Sequence, residues 1–230
     1  MTTIKIKLFS FFYMLHLNNV TLLAISGTTN KDDFEQHLKS LLYSKKNINF
    51  KKVKLLSPIC PIKRNDIQYI KIPPLTYTDY SIFVMSKLNN FVDTEFVLIV
   101  QSDGFVTNVN KFDPRFLNYD YIGAPWTDAK HYRSIKVGNG GFSLRSKKFL
   151  EVSQKYCPMV RFNEDVLVCI LFRNIFLKRG IKYAPLQLAA KFSYETKDAV
   201  KNVTLYDTFG IHGKNEYYHQ IICSEEWNVL

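Results

Sequence analysis

Four short polar clusters, far apart along the chain, contain the residue types that could carry out chemistry. In chain order they are Gln101-Ser102-Asp103, Gly138-Asn139-Gly140-Gly141, Glu164-Asp165 and His212-Gly213-Lys214. A carboxylate and a neutral imidazole, such as Asp103 and His212, suit a first-row divalent cation. That cation can in turn hold a diphosphate. Glycines let the backbone approach a flat ligand closely, and a carboxylate such as Asp165 can serve as a general base.

Each cluster also has an ordinary structural explanation. Asp103 could close a turn, and Asn-Gly is a strong signal for a hairpin turn. Acids such as Glu164 are favoured in the first helical turn whatever the function, and a histidine next to glycine, as His212 is, is typical of a loop. The residues alone leave both explanations open, and convergence of the clusters in one pocket decides between them.

The first cluster follows the apolar run from Phe96 to Val100, which predicts a strand buried on both faces at the centre of a parallel sheet. Ligands in open α/β sheets bind just beyond the carboxyl ends of such strands. Similar runs predict strands over residues 20–27, 53–56 and 67–72. Amphipathic helices are predicted after Asn30, as an N-cap, and over residues 80–91. This alternation indicates an α/β fold with a mostly parallel, Rossmann-type sheet flanked by helices.

The second half is less regular, and we expect a small second sheet or loop region there. A strand is predicted within residues 118–126 and another over residues 181–184. Ser146 is a predicted helix cap, and Asn163 is predicted to cap a helix from Glu164 to Arg179 that Gly180 ends. We expect a single domain, with an N-terminal arm (1–19) and two halves (20–104 and 105–230).

The composition is that of a globular domain. The 230 residues are 47% hydrophobic and 15% aromatic, which excludes a disordered chain. The net charge of +11 accompanies a general excess of lysine, and no nucleic-acid-binding module is recognisable, so we expect no nucleic-acid partner. Contact of the basic surface with a membrane and the oligomeric state stay open.

The cysteines and the N-terminus bear on the compartment. The cysteines show neither CxxC spacing nor a nearby histidine cluster, so we expect no zinc, reduced thiols and a cytoplasmic location: Cys60, Cys157, Cys169 and Cys223. Lys5 and Lys7 precede the apolar run from Leu8 to Leu15, which is too short to span a bilayer. We expect a leading strand or packing arm, with membrane association through this run as the alternative.

The order and spacing of the four clusters resemble those of a GT-A fold glycosyltransferase. Glu164-Asp165-Val166 is similar to the "EDV" motif of the inverting β-1,3-type branch. The stretch from Phe96 to Gly213 also resembles a little-characterised family of predicted glycosyltransferases with QSDG, IGAPW, GNGGFSLR, ED and FGxHG blocks. The resemblance implies transfer of a sugar from a nucleotide donor, expected to be UDP-linked, to a hydroxyl of a glycan or other acceptor.

The resemblance implies that residues 20–104 form the nucleotide-binding half and residues 105–230 the acceptor or catalytic half, and it also implies a role for individual residues. Asp103 and His212 match ligands of Mn²⁺ or Mg²⁺, Asp165 matches the catalytic base of an inverting transfer, and Glu164 would orient the donor or acceptor. Where the resembled enzymes have a first acid, this chain has Gln101, which brings no charge but can bond ribose or uracil. The other implied nucleotide-binding residues are Ala24, Ser26, Ser102, Gly140, Gly141 and Lys214, and the implied acceptor-side residues are Trp126, Asn139, Asp128 and His131.

Two other functions stay open. A sugar nucleotidyltransferase has a related sheet, but the turn Ser26-Gly27-Thr28-Thr29 has one glycine and no arginine to hold a triphosphate. A sugar- or nucleotide-binding domain without turnover is the second, and Gln101 in place of an acid favours it. Helix-start acids also occur in retaining enzymes, so the anomeric outcome stays open, as do the donor sugar and the acceptor.

Overall fold

The computed structural model describes residues 14–126, 137–158, 160–196, 200–201 and 203–228. Within them the chain forms a six-stranded sheet and a three-stranded sheet. The strands are β1 (Leu15–Ile25), β2 (Ile48–Ser57), β3 (Gln68–Lys71), β4 (Phe96–Val100), β5 (Gly104–Val106), β6 (Tyr121–Ile122), β7 (Ser143–Ser146), β8 (Ser193–Tyr194) and β9 (Gly210–His212). The α-helices are α1 (Lys31–Ser44), α2 (Tyr77–Ser86), α3 (Lys147–Tyr156), α4 (Glu164–Val166), α5 (Arg173–Lys178), α6 (Leu186–Phe192) and α7 (Glu216–Ile222).

The large sheet is mostly parallel. Its strand order is β3-β2-β1-β4-β7-β6, in which β1 pairs in parallel with both β2 and β4, while β7 runs antiparallel to β4 and β6. The small sheet has the order β5-β9-β8 and comes from the chain after β4. The predicted fold class, a Rossmann-type sheet flanked by helices with a small second sheet, is confirmed.

Both faces of the large sheet are buried, which explains the continuous apolar runs in the sequence. Leu22 and Leu98 face one side and pack with the apolar residues of α1. Leu23 and Ile99 face the other side and pack with residues of α2 and α3. The run predicted to be a buried central strand, Phe96–Val100, is strand β4 with its bounds unchanged.

Two of the predicted helix caps are present. The side chain of Asn30 accepts the backbone N–H groups of Asp32 and Asp33 at the start of α1. Ser146 caps α3 by accepting the N–H of Phe149. Short polar side chains compete well for these free N–H groups, so both helix starts could be predicted from local sequence.

The predicted helix from Glu164 to Arg179 is interrupted. It consists of α4, a π-helical turn over Leu167–Leu171, and α5. The hydroxyl of Tyr183 donates to the carbonyl of Val168 at 2.6 Å, inside this stretch. A side chain inserted into the backbone hydrogen-bond ladder is a common cause of such a break, and Tyr183 comes from beyond the helix, so local periodicity did not reveal it.

Two strands predicted in the second half are shorter than expected. Of residues 118–126 only Tyr121–Ile122 forms a strand, because the chain then passes through Gly123 and Pro125, and proline has no N–H to donate to a sheet. Residues 181–184 contribute a single bridge between Tyr183 and β6 instead of a strand.

Asn163 precedes α4, as predicted, but its side chain makes no capping hydrogen bond. Its Oδ1 atom instead accepts a hydrogen bond from the hydroxyl of Tyr77, at 3.1 Å. The predicted capping role is therefore wrong, because a tertiary partner occupies the oxygen that would cap the helix.

The N-terminal prediction is only partly covered. β1 begins at Leu15, inside the range predicted as an arm (1–19). Residues 1–13, with most of the apolar run, lie outside the described residues. Among those that are described, no helix combines the length and the apolar character needed to span a membrane.

The central position of β4 makes its side chains sensitive to truncation. We expect Leu98→Ala to lower the free energy of unfolding by about 2–5 kcal/mol, because it leaves a cavity in a packed core. Leu171→Ala is the matched control: this side chain is 58% exposed, so its loss should change stability little. Urea unfolding of both variants measures the difference, and equal effects would contradict the burial of β4.

Candidate active site

A cleft of about 440 Å³ lies at the carboxyl edge of the large sheet. Its wall includes residues from three neighbouring strand ends: Gly27 and Thr28 after β1, Gln101 and Ser102 after β4, and Gly140 and Gly141 shortly before β7. Adjacent strands lie about 4.8 Å apart, so these three points span about 10 Å along the edge. The cleft can therefore hold an extended ligand that lies across β1, β4 and β7.

At the middle of the cleft, the residues after β4 form a tight turn. The backbones of Gln101 and Gly104 exchange both of their N–H···O hydrogen bonds. The Gln101 side chain donates from Nε2 to the hydroxyl of Tyr80, at 2.8 Å. Burial raises the pKa of Tyr80 to about 12, so this hydroxyl stays protonated. Gln101 is thus fixed in the wall of the cleft by a neutral partner.

The small sheet brings Asp103 and His212 together, although 109 positions separate them in the sequence. Gly104 in β5 pairs with His212 in β9, and the carbonyl of Asp103 accepts the N–H of Gly213 at 2.8 Å. As a result, Oδ1 of Asp103 lies 3.8 Å from Nε2 of His212. His212 lines the cleft, whereas Asp103 contacts His212 but is not one of the lining residues.

Asn139 orients the other side of the His212 ring. Its Oδ1 accepts the N–H of Gly141 at 2.9 Å, which fixes the orientation of the amide. Its Nδ2 then faces Oε1 of Glu195 and Nδ1 of His212, each at 2.7 Å. Nδ1 of His212 also lies 3.4 Å from Oε1 of Glu195. Because an amide NH₂ only donates, the shorter contact with Asn139 requires Nδ1 of the neutral ring to accept, which places the proton on Nε2.

The charge state of His212 depends on the same neighbours. Burial lowers its pKa, but the protonated ring can donate from Nδ1 to Glu195, and the negative charges of Asp103, Glu195 and Asp165 also favour it, so the pKa of His212 is raised. A raised pKa in the folded state means that this group stabilises the fold fully only below its unfolded pKa. The contribution is lost as the pH rises through the folded pKa.

The expected metal ligands meet, but they do not yet form a metal site. Among the described residues, no group of three or more His, Cys, Asp and Glu side chains is arranged to hold a metal ion. His212 could ligate a cation only in its other tautomer, in which Nδ1 carries the proton and donates to Oε1 of Glu195, 3.4 Å away. In the arrangement described, the donor chemistry therefore fits a hydrogen-bond donor at Nε2 and does not fit a metal ligand.

Glu164 is held in a buried ion pair. Its Oε1 lies 2.7 Å from Nη2 of Arg145, and the two residues are 5% and 1% exposed. Burial raises the pKa of Glu164, which Arg145 opposes. Within the described part of the chain, Oε2 of Glu164 has no hydrogen-bond partner. A Cβ at residue 140 would overlap this carboxylate, so only glycine fits between Glu164 and the cleft.

Asp165 lines the cleft next to residues 138–141, which we call the glycine loop. Its Oδ2 accepts the N–H of Gly140 at 3.2 Å, and its Oδ1 accepts the N–H of Val166 at 2.7 Å. Each carboxylate oxygen keeps a second lone pair. Asp165 can therefore accept a proton from a ligand hydroxyl while its orientation is fixed by two backbone groups.

Several residues predicted to contact a ligand do not lie on the cleft wall. Ala24 is fully buried in β1, and Ser26 is buried and donates to Asp33. The ring of Trp126 packs against Gly138, and the buried amide of Asn139 is used within the protein. These side chains pack or form hydrogen bonds inside the fold, and their predicted ligand contacts stay predictions. Exposed Lys214 is also off the wall, and Asp128 and His131 lie outside the described residues.

The structure also adds residues that the sequence analysis missed. Asp33, His37 and Tyr77 line the cleft near the end of β1, while Arg145 and Glu195 hold Glu164 and His212 in place. The i, i+4 spacing of Asp33 and His37 on α1 was a usable signal. Nothing in the local sequence marks Arg145 or Glu195, because their partners are distant in the chain.

Solved structures with a similar fold include that of the bifunctional IspDF from Campylobacter jejuni, with a TM-score of 0.50 and 13% identity over 72% of this chain and 48% of that one. The apo-form glycosyltransferase GlyE of Streptococcus pneumoniae TIGR4 aligns with a TM-score of 0.49 and 13% identity over 92% and 61%. A glycosyltransferase involved in glycosylation of the major capsid of PBCV-1 aligns with 0.48 and 16% over 92% and 99%. This chain thus spans less than half of IspDF, and at these identities the likeness concerns the fold alone.

The chain also matches a family model. Residues 66–212 match the family described as "Protein of unknown function (DUF5672)". This range contains all four polar clusters up to His212. No curated protein matches the chain.

The buried ion pair makes a testable contribution to stability. Arg145→Met leaves the Glu164 charge buried without a partner, and we expect it to lower the free energy of unfolding by about 3–5 kcal/mol. The double variant Arg145→Met, Glu164→Met removes both charges and should recover most of this loss. Urea unfolding measures both variants. A double variant as unstable as the single one would show that the charge pair is not the cause.

The hydrogen bonds of Asn139 predict the tautomer of His212. At a pH where the ring is neutral, long-range ¹H–¹⁵N NMR should detect the proton on Nε2. In Asn139→Asp a carboxylate oxygen faces Nδ1 and can only accept, so the proton should move to Nδ1. The signals of His219, exposed on α7, serve as the control and should not change. A wild-type ring with its proton on Nδ1 would contradict the described network.

Proposed function

Because this chain belongs to the family described as "Protein of unknown function (DUF5672)", its activity has to be inferred from its site, and we propose that it is a glycosyltransferase. It transfers a sugar from a nucleotide-sugar donor to a hydroxyl group of an acceptor, and the proposed donor is a UDP-sugar. The observation that carries the proposal is one cleft that reaches from the end of β1 to Asp165 and the glycine loop. The resemblance of the QSDG, GNGG, ED and FGxHG blocks to GT-A enzymes supports it.

The parts of the cleft match the parts of such a donor in order. The β1 end suits the nucleoside, the turn after β4 with nearby His212 suits the diphosphate, and the glycine loop before β7 suits the sugar. Glycines at 140 and 141 leave the backbone bare for close approach to a sugar ring. The Nε2–H of His212 is placed to donate to a phosphate oxygen.

Asp165 is the proposed base of an inverting displacement. Its carboxylate takes the proton of the acceptor hydroxyl as that oxygen forms a bond to the anomeric carbon. The bond between the anomeric carbon and the diphosphate oxygen breaks at the same time, and its electron pair leaves with the nucleoside diphosphate. Glu164 lines the cleft, and its Oε2 has no hydrogen-bond partner among the described residues; in this proposal it orients a sugar hydroxyl.

Dependence on Mn²⁺ or Mg²⁺ is part of the proposal, with observations on both sides. The carboxylates of Asp103, Asp165 and Glu195 surround His212, and the nearby Arg145 is already paired with Glu164. A diphosphate entering this acidic region is repelled unless a cation accompanies it, which favours metal dependence. The Nε2 proton of His212 argues against its use as a ligand, so Asp103 is the residue that would hold the cation.

A nucleotide-sugar-binding domain without turnover is the second candidate. Both oxygens of Asp165 accept backbone N–H groups, so the residue would be well explained as a structural element of the glycine loop. The neutral Gln101, whose side chain is hydrogen-bonded to Tyr80, also favours this candidate. Binding of UDP without cleavage of any UDP-sugar would select this candidate.

The proposal predicts separable effects of Asp165→Asn. We expect release of UDP from UDP-sugars to fall by about 10²–10⁴-fold, because the variant lacks the base, while the affinity for UDP stays unchanged. Calorimetry with UDP, in Mn²⁺ and in EDTA, and a coupled UDP-release assay measure the two quantities. Binding only in the presence of Mn²⁺ supports the metal part of the proposal.

Glu151→Gln, an exposed acid on α3 away from the cleft, is the matched control and should retain full activity. UDP release that survives in Asp165→Asn would reject Asp165 as the base. A folded wild-type protein that binds no nucleotide under either condition would reject the glycosyltransferase proposal as a whole.

A further inference from the structure

At the end of the cleft already proposed for the nucleoside, we propose that Nε2 of His37 accepts a hydrogen bond from a ring N–H of the base. Uracil and guanine have such an N–H, whereas cytosine and adenine do not. Asp33 accepts from the ribose hydroxyls. This inference rests on the proposed function and identifies how the chain selects the nucleotide.

The tautomer of His37 follows from one contact. Its Nδ1 lies 2.9 Å from the backbone carbonyl of Asp33, one turn earlier on α1. A carbonyl can only accept, so the Nδ1 atom carries the proton and the Nε2 atom of the neutral ring is an acceptor. His37 is only 9% exposed and lines the cleft, and Nε2 has no hydrogen bond within the described residues.

Asp33 presents a second acceptor beside it. Its Oδ2 already accepts from the hydroxyls of Ser26, at 2.8 Å, and Thr28, at 3.1 Å. Its Oδ1 makes no hydrogen bond in the described part of the chain, and the side chain is one-third exposed to the cleft. The Thr28 hydroxyl donates to Asp33 and also accepts the N–H of Asn30, so both of its roles are occupied.

The free side-chain atoms at this end are therefore acceptors, and a ligand that satisfies them must donate. A ribonucleoside does so in two ways, through the hydroxyls of the ribose and through a ring N–H of the base. An aromatic ring is also present: Tyr77 lines the same cleft, is 75% exposed and is anchored through its hydroxyl to Asn163. An exposed ring of this kind offers a flat surface on which a base can stack.

The β1 end of the cleft lies apart from Asp165, the proposed catalytic base. The segment with Leu75 and Tyr77 is bonded to the chain just after β1, where the N–H of Leu75 donates to the carbonyl of Gly27 at 2.7 Å. β1 and β7 are two strand spacings apart, about 10 Å, so a nucleoside at β1 leaves room for a diphosphate before the sugar reaches Asp165.

The test compares two ligands that differ only at the ring nitrogen. Calorimetry in Mn²⁺-containing buffer should show that the wild-type protein binds UDP about tenfold more tightly than N3-methyl-UDP, because methylation removes one donor and leaves a buried acceptor unpaired. In His37→Phe, which keeps a flat ring without an acceptor, the two affinities should become equal. The ratio of the affinities is the readout, so a general weakening of the variant does not imitate the effect.

His16→Phe is the matched control: His16 is an exposed residue of β1 outside the cleft, and the variant should keep the tenfold preference. Equal binding of UDP and N3-methyl-UDP by the wild-type protein overturns the inference without any variant, and a preference that persists in His37→Phe also overturns it. Both results leave the glycosyltransferase proposal standing, since UDP is bound. Failure of a folded wild-type protein to bind any nucleotide overturns both.

Discussion

The ion pair between Arg145 and Glu164 is the interaction on which the cleft depends. Arg145 stands on β7 and Glu164 begins α4, so the pair ties the central sheet to the helix that presents Asp165. Arg145 also contacts the carbonyl of Gly140 and the hydroxyl of Ser143. A buried charge without a partner is costly, so the ion pair is expected to stay formed. The glycine loop (residues 138–141) packs against this pair through Gly140 and is therefore held in one place.

The glycine loop connects the ion pair to the other residues of the site through hydrogen bonds. The N–H of Gly140 is bonded to Asp165, and that of Gly141 is bonded to Asn139. Asn139 adopts a left-handed conformation, with φ of 55°, which places its amide between Glu195 and His212. Asparagine tolerates this backbone conformation better than most residues do. A single side chain thus links the sugar end of the cleft to the imidazole at its centre.

Three carboxylates line the cleft: Asp33 near the end of β1, and Glu164 and Asp165 beside Gly140. Carboxylates occur at both of its ends and around His212, while Arg145 is neutralised by Glu164. Such a lining selects ligands with hydroxyl and N–H groups, which sugars and ribonucleosides have, and it disfavours bare anions. The same property explains why a diphosphate needs the imidazole N–H or a cation in order to bind between the two ends.

The sequence by itself determined the sheet, its central strand and two of the helix caps. Apolar runs such as Phe96–Val100 and short polar caps such as Asn30 and Ser146 act through neighbours in the chain. It also marked all four polar clusters, of which Gln101, Gly140, Asp165 and His212 line one cleft.

Only the tertiary structure decided the hydrogen-bond partners and the burial of these residues. The partner of Asn139 is His212, 73 positions away, and the helix after Asp165 is broken by Tyr183. The same holds for Ala24 and Trp126, whose neighbours place them in the core and against Gly138. The physical reason is that hydrogen-bond direction and burial depend on which distant segments meet. Local composition and spacing contain no information on that meeting.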